Sequence, residues 1–359
     1  MLRQPGRFAR AASTVASSVM LVLVATGIYF GILRAIVSYP QTLPGEIVVG
    51  EAGASAALLH TSSRLPAGAL RTLRETPGVA SVTPLYGRLV WLKVHARQAL
   101  VFLVEVDRTD PFGAPVAVLA GRARPQINEI LIDRVLAHDL RLAVGDELPF
   151  GNGVLRVGGI TDGGNAILAT YAFVAKGVLM LGGTTSPSFA FVQPAPGADR
   201  DALVGAISAQ TGVQAYRREE FLEENRAITR QVVLPLILIL VVLSAAVGGS
   251  IVALTLYAST IERREEYGLL KALGVPRGTV LGVVVLESGI ATGLGVAGGI
   301  LAGFALAHGI AMIEPRFVTA VPGWLPLVVA AGGMVVGLVA AVSPVRAVAR
   351  IDPGLVFRV

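Results

Sequence analysis

Four long apolar runs, placed one at the beginning and three towards the end, limit what this chain can fold into. Residues 11–33, 231–261 and 317–345 contain no Asp, Glu, Lys or Arg, and residues 279–313 contain a single one, Glu287. At about 1.5 Å per helical residue, each can cross a hydrocarbon layer of roughly 30 Å. The whole chain agrees: 53% of its 359 residues are hydrophobic, only 15% are charged, and mean hydropathy is +0.69. These values belong to a membrane protein. Cysteine is absent, which excludes disulfides and thiolate chemistry.

The first run, 11–33, follows a short tail (1–10) carrying Arg3, Arg7 and Arg10. It reads as a retained anchor; a cleaved signal peptide is the rival, but no small-x-small cleavage site follows the run. From 34 to 216 the composition becomes that of a soluble α+β domain, with turn signals at Tyr39-Pro40, Asp110-Pro111 and Gly151-Asn152-Gly153. Segments 46–50, 88–94 and 99–106 read as strands and 66–75 as a helix; 188–193, 199–210 and 212–216 read as a second strand, helix and strand. Between these units, 126–187 reads as an insertion, with a short helix over 133–140.

Residues 217–230, RREEFLEENRAITR, favour helix and lead straight into the second apolar run. One helix over 217–260 is therefore predicted, a stalk that becomes a membrane span, with Pro235 as a candidate kink. A charged loop (259–278), the third span (279–313), a short loop with the fourth span (314–345) and a tail (346–359) complete the order. Four spans put both ends on one side. Lys and Arg concentrate in the N-terminal tail, in the loop (Arg263, Arg264, Lys271, Arg277) and in the C-terminal tail (Arg346, Arg350, Arg358), whereas the other short loop has only Arg316. By the positive-inside rule the termini and the charged loop face the cytoplasm and the large domain lies outside, as expected for a bacterial inner-membrane protein. With Glu262, Glu265, Glu266 and Asp352 subtracted, the cytoplasmic segments carry +6, the net charge of the whole chain. The basic balance is thus a topology signal, and nucleic acid is set aside as a partner.

Within the loop, Ser259-Thr260-Ile261-Glu262 has capping-box spacing, and Gly274 followed by Pro276 supplies a stop, so a discrete helix is expected over 259–274. Leu269, Leu270 and Leu273 form an apolar knob among mixed charges. Such a helix suits lipid headgroups or a cleft on another protein.

IERREEYGLLKALGVPRG, the LESG of the third span (286–289), the glycine-rich run after it and the closing SPVRAVARIDPGLVFR resemble the FtsX-like permease domain of MacB-type ABC transporters. The resemblance covers residue 231 to the C-terminus, and an anchor followed by a large outer domain matches the same class. It implies that the loop is a coupling helix docking on a cytoplasmic ATPase through Ile261, Glu262, Arg263, Arg264, Glu266, Leu269, Leu270, Lys271, Leu273 and Gly274. It also implies two ATPase copies, a second permease, identical or homologous, and an outer domain with a porter-like part and a small β-rich insertion. A periplasmic adaptor or substrate-binding protein is a further possible partner. No GxxxxGK[ST] phosphate loop occurs, so ATP and Mg2+ are expected on a separate ATPase subunit, as in LolC- or DevC-like arrangements, and no catalytic residue or metal site is expected here.

Gly289, Gly293, Gly295, Gly299 and Gly303 have GxxxG spacing and are expected at a helix contact within or between subunits. Gly333 and Gly337 share that spacing. Glu287 reads as a structural or coupling group in preference to a proton carrier, and His308 as interfacial. His60, His95 and His138 show no HExxH or paired-ligand spacing. The expected function is mechanotransmission: ATP-driven motion passed to the outer domain. The alternative is a signalling or scaffold protein sensing an extracytoplasmic ligand.

Overall fold

The computed structural model describes residues 5–54, 63–94, 96–107, 113, 115, 117–151, 153–166, 169–181, 186–262, 266, 269, 273 and 275–342. They form two compact units. One holds 32–232 together with 315–318; the other holds the remaining segments around 1–31, 233–314 and 319–359.

The first unit contains two sheets. The smaller is built from β1 (Ile47–Glu51), β2 (Val79–Leu85), β10 (Phe189–Pro194) and β11 (Val213–Arg217), in the order β11-β1-β10-β2. Its neighbours are all antiparallel. Helix α2 (Ala69–Glu75) links β1 to β2, and α5 (Arg200–Ser208) links β10 to β11. Each βαβ unit is split by a strand of the other, which is the ferredoxin-like arrangement. Period-two alternation makes both faces apolar. Ile47 and Val49 pack with Leu73 of α2 and Leu203 and Ile207 of α5. Val48 points the other way, into a core shared with Phe189 and Phe191.

The larger sheet comprises β3 (Gly87–Val94), β4 (Arg97–Val106), β5 (Ala117–Gly121), β6 (Glu129–Asp133), β7 (Glu147–Phe150), β8 (Gly153–Asp162) and β9 (Thr170–Ala175). Its order is β3-β4-β9-β6-β8-β5, with β7 on β8. The expected boundary of the insertion at 126 is corrected by this pairing. Strand β4 runs parallel to β9, Phe102 opposite Tyr171, so β3 and β4 join the inserted sheet although they precede 126. All the strands described between β2 and β10 belong to it. Its own core lies against α3 (Arg134–Leu140) and α4 (Val178–Leu181), with Leu103, Ile130, Leu136 and Val174. On its other face, Phe102, Val104, Tyr171 and Phe173 meet Val48, Phe189 and Phe191 of the small sheet.

The second unit is helical. Helices α1 (Pro5–Ser38), α6 (Arg218–Glu262) and α7 (Arg277–Ile313) are long and apolar enough to cross a membrane; α8 (Leu325–Ala340) is apolar but has 16 residues. The fourth apolar run is therefore only partly helical: residues 317–324 are not helical, and Pro322 and Pro326 stand on either side of the helix start. Helix α6 is a single element of 45 residues that contains Pro235 and spans the predicted stalk and second run. Its backbone continues through Ser259–Glu262, so the capping-box tetrapeptide does not open a new helix. No Gly or Pro separates Leu254 from Glu262, so nothing interrupts the i to i−4 ladder. The helical core gathers Val15, Val19 and Leu23 of α1, Val252 of α6, Val296 of α7, and Leu325 and Val329 of α8.

Candidate functional site

Two helices are rooted in the core between the two sheets. At the end of α1, Ile36 and Val37 enter it, followed by Tyr39, and all three are buried. The Tyr39 ring packs at a tilt against Tyr171, centroids 4.5 Å apart, and its hydroxyl donates to Gly113 O at 3.0 Å. Burial pushes its phenol pKa well above the usual value, so it stays neutral and hydrogen-bonded. At the start of α6, Phe221 is inserted edge-on between Phe189 and Phe191, with ring centroids 5.7 and 6.3 Å away. Arg218 holds the same turn from outside, donating from Nη1 to Gly45 O at 3.0 Å and from Nη2 to Gln41 O. Glu220 accepts from Arg217 N at 3.1 Å and satisfies one of the orphan donors near the start of the helix. The next turns carry Asn225, whose amide donates to Phe221 O at 2.7 Å, and an ion-pair ladder of Glu223 with Arg226 and Arg230.

Inside the helical unit, one ridge of α7 lies directly on α1. A methyl group added at Gly295 would stand 2.6 Å from the Val15 Cβ, at Gly299 2.6 Å from Ala16 O, and at Gly303 2.8 Å from Leu23 Cδ2. No side chain fits, so these glycines let two backbones approach where lipid supplies no hydrophobic drive. Gly289 and Gly293 have the same spacing, but nothing lies within 4 Å of the space their side chains would take. Gly333 and Gly337 of α8 pack on α7, against Val296 and Thr292, and Gly248 of α6 packs on Ser18 of α1. The contact of Gly248 is one glycine facing one serine, and no GxxxG pair marks it in the sequence. Glu287 is half-buried beside the buried Ser288.

The family description MacB-like periplasmic core domain matches residues 9–210, more than half of the chain, and FtsX-like permease C-terminal matches 238–353. The chain belongs to the MacB/FtsX family of ABC transporter permeases. This permease is 26% identical over 350 residues to an uncharacterised ABC transporter permease of Mycobacterium tuberculosis, covering 94% of this chain and 91% of that one. It is 26% identical over 303 residues to the macrolide export ATP-binding/permease protein MacB 1/2 of Paracoccus denitrificans, covering 78% of this chain and 45% of that one. Among solved structures, the periplasmic region of MacB from Actinobacillus actinomycetemcomitans is 12% identical, covers 52% of this chain and 91% of that one, and has a TM-score of 0.36.

Of the permease's expected coupling residues, Ile261 and Glu262 form the last turn of α6. Glu266 and Leu269 are helical and exposed, and Leu273, exposed to 73%, donates its N–H to Leu269 O at 3.0 Å. Arg263, Arg264, Leu270, Lys271 and Gly274 lie outside the described residues. The two leucines thus present apolar surface one turn apart. Elsewhere in the permease, the buried carboxyl of Asp133 caps α3, accepting from Val135 N and Gly164 N, both at 2.9 Å. Burial raises its pKa to about 6 against the lowering effect of those two donors. Glu105 does the same for α4, accepting from Gly177 N at 2.9 Å and Leu179 N at 2.6 Å; its pKa is raised, chiefly by burial.

Proposed function

We propose that this permease transmits the motion of a cytoplasmic ATPase to its extracytoplasmic domain, and that α6 is the transmitting element. The carrying observation is that α6 is one unbroken helix, rooted by Phe221 in the outer core and ending at the charged loop. A helix of 45 residues is about 68 Å long, enough to span a membrane with a stalk to spare. In this reading the chain crosses the membrane four times, the fourth through α8 and its flanking residues, with both termini and the loop 259–278 in the cytoplasm. Residues 261–274 dock in a cleft of the ATPase, two copies of which bind ATP and Mg2+ and close against each other. In this reading the ATPase is a subunit of its own. Two permeases assemble, identical or homologous. The transmitted stroke serves export, extraction of a lipid or lipoprotein, or activation of an enzyme outside the membrane.

The docking step is tested by replacing Leu269 and Leu273 with Asp. Charging the apolar knob is expected to abolish copurification with the partner ATPase and to return ATP turnover to that of the free ATPase. Retained binding with full turnover would reject residues 261–274 as the docking site.

A further inference from the structure

The outer unit carries a cavity of about 160 Å³ where β3, β4 and β9 meet the end of α3 and residues 315–318. Trp91 and Leu100 face each other across the β3–β4 pair and form one wall. Leu136 contributes a second apolar wall. The remaining groups are polar: Gln98 at the exposed rim, the carboxylate of Asp139, the guanidinium of Arg316, and the hydroxyl of Thr170.

Two features mark this cavity as a binding site rather than a packing fault. Thr170 is 6% exposed, and its Oγ1 has no hydrogen-bond partner, a state that it shares among the described residues with the buried hydroxyl of Tyr171 beside it. Trp91 is 59% exposed, an indole left at the mouth of a cavity where burying it would be favourable. The polar wall is also fixed in advance. Arg316 is ion-paired to Asp139, its carbonyl accepts from Asn165 Nδ2 at 2.8 Å, and Arg97 Nη1 donates to Asp139 O at 2.6 Å. Such preorganisation lowers the cost of binding.

Size and chemistry together select the ligand. A cavity of roughly 150 Å³ admits one six-membered ring. The paired Asp139 and Arg316 cancel in charge, so the ring is neutral. A hydrocarbon ring with one hydroxyl could serve the buried Thr170 hydroxyl or the Gln98 amide at the rim but not both, and an unmatched buried group costs binding energy. A ring with an apolar face for the indole and hydroxyls around its edge serves both. We propose that this cavity binds a neutral pyranose, presented on a glycolipid headgroup or as part of a soluble glycan. This goes beyond the transmission reading and does not depend on it, because binding is measured without an ATPase.

Trp91 and Trp324 are the two tryptophans of the chain, so Trp324→Phe leaves Trp91 as the sole indole reporter. The full-length variant, in a detergent without a sugar headgroup, is titrated with methyl α-glucopyranoside and methyl α-mannopyranoside while Trp91 emission is followed. A saturable change with at least one glycoside is expected, with cyclohexanol at least about tenfold weaker. Thr170→Val and Gln98→Ala are each expected to weaken the response severalfold while leaving the emission maximum of the unliganded protein unchanged. The same variant in phosphatidylglycerol vesicles with and without a monoglucosyl diacylglycerol separates the sources. A shift on adding the glycolipid identifies a lipid headgroup, and a response confined to the free glycosides identifies a soluble glycan. No saturable change in any arm, or equal responses to cyclohexanol and the glycosides, would overturn the assignment, as would full binding by both Thr170→Val and Gln98→Ala.

Discussion

Helices α1 and α6 reach the same core in the outer unit, α1 through Ile36 and Val37 and α6 through Phe221, yet they are treated differently among the apolar helices. Half of the most apolar stretch of α1 is buried, against 6% of that of α6. Helix α1 carries the glycine ridge of α7 on one side and Gly248 of α6 on another; it is the post around which the bundle is packed. Helix α6 leaves Val232, Leu236, Ile239, Val242, Leu243 and Val247 exposed. A helix uncovered to that extent within its own subunit meets lipid or a second copy. The contrast fits the role proposed for α6 as the transmitting element.

The comparison can be broken most severely at the ridge. Gly299→Leu is expected to force α1 and α7 apart and cost more than about 3 kcal/mol, read as loss of the monodisperse, heat-stable protein; overpacking a close backbone contact has no cheap relaxation. Gly293→Leu, on the open side of the same helix, serves as the control and is expected to leave stability within about 0.5 kcal/mol. Next comes the root of α6. Phe221→Ala empties a site lined by Phe189 and Phe191 and is expected to destabilise the outer unit by about 3–5 kcal/mol in thermal unfolding. It should also uncouple ATP turnover from any outer activity while ATPase binding persists. A smaller effect is expected on the exposed face of α6. Leu243→Ala combined with Ile239→Ala should weaken permease pairing severalfold in cross-linking or single-molecule counting, with the monomer fold intact; unchanged pairing would assign that face to lipid.

The smallest effect lies away from both helices, at Asp133. Because its folded pKa of about 6 lies above the unfolded value near 3.9, the folded state holds the proton more tightly between those limits. Stability contributed by this group therefore falls as pH rises from about 4 to about 6. The midpoint of unfolding in Asp133→Asn should lack that slope, and a parallel slope in the variant would assign the titration to another group.

Much of this was legible in the sequence because the relevant signals are local. Uncharged runs announce apolar helices, and the uninterrupted helix-favouring stretch from Arg218 announces α6. The unit of β10, α5 and β11 is also a local pattern, whereas β2, which closes the first unit, was not legible: its run VASVTPL mixes apolar with polar residues and contains Pro84. The glycines were legible only in part. Spacing places Gly293 and Gly299 equally well, but only the ridge of Gly295, Gly299 and Gly303 finds a neighbour, and a sequence does not say which side α1 occupies. Sheet membership was not legible. Strands β3 and β4 pair with each other, but the other neighbour of β4, β9, lies some 70 residues on, so periodicity carries no mark of the parallel pairing of Phe102 with Tyr171. The ion pair of Asp139 with Arg316 joins residues 177 positions apart and left no trace either.

The inserted sheet enters the chain after β2 and leaves before β10, and those strands are neighbours with Leu85 opposite Phe189. Ser188 closes the junction, its N–H donating to Leu85 O at 2.8 Å and its hydroxyl to Gly87 O at 2.6 Å. The whole insert therefore hangs from two adjacent points on one hydrogen-bonded pair. Another module whose ends meet at the same spacing would keep the register of the four-stranded sheet, and would have to supply anew the apolar face that Phe102, Tyr171 and Phe173 turn to the shared core. The insert is in this sense an exchangeable cartridge, clipped between two strands that pair with each other whatever it carries.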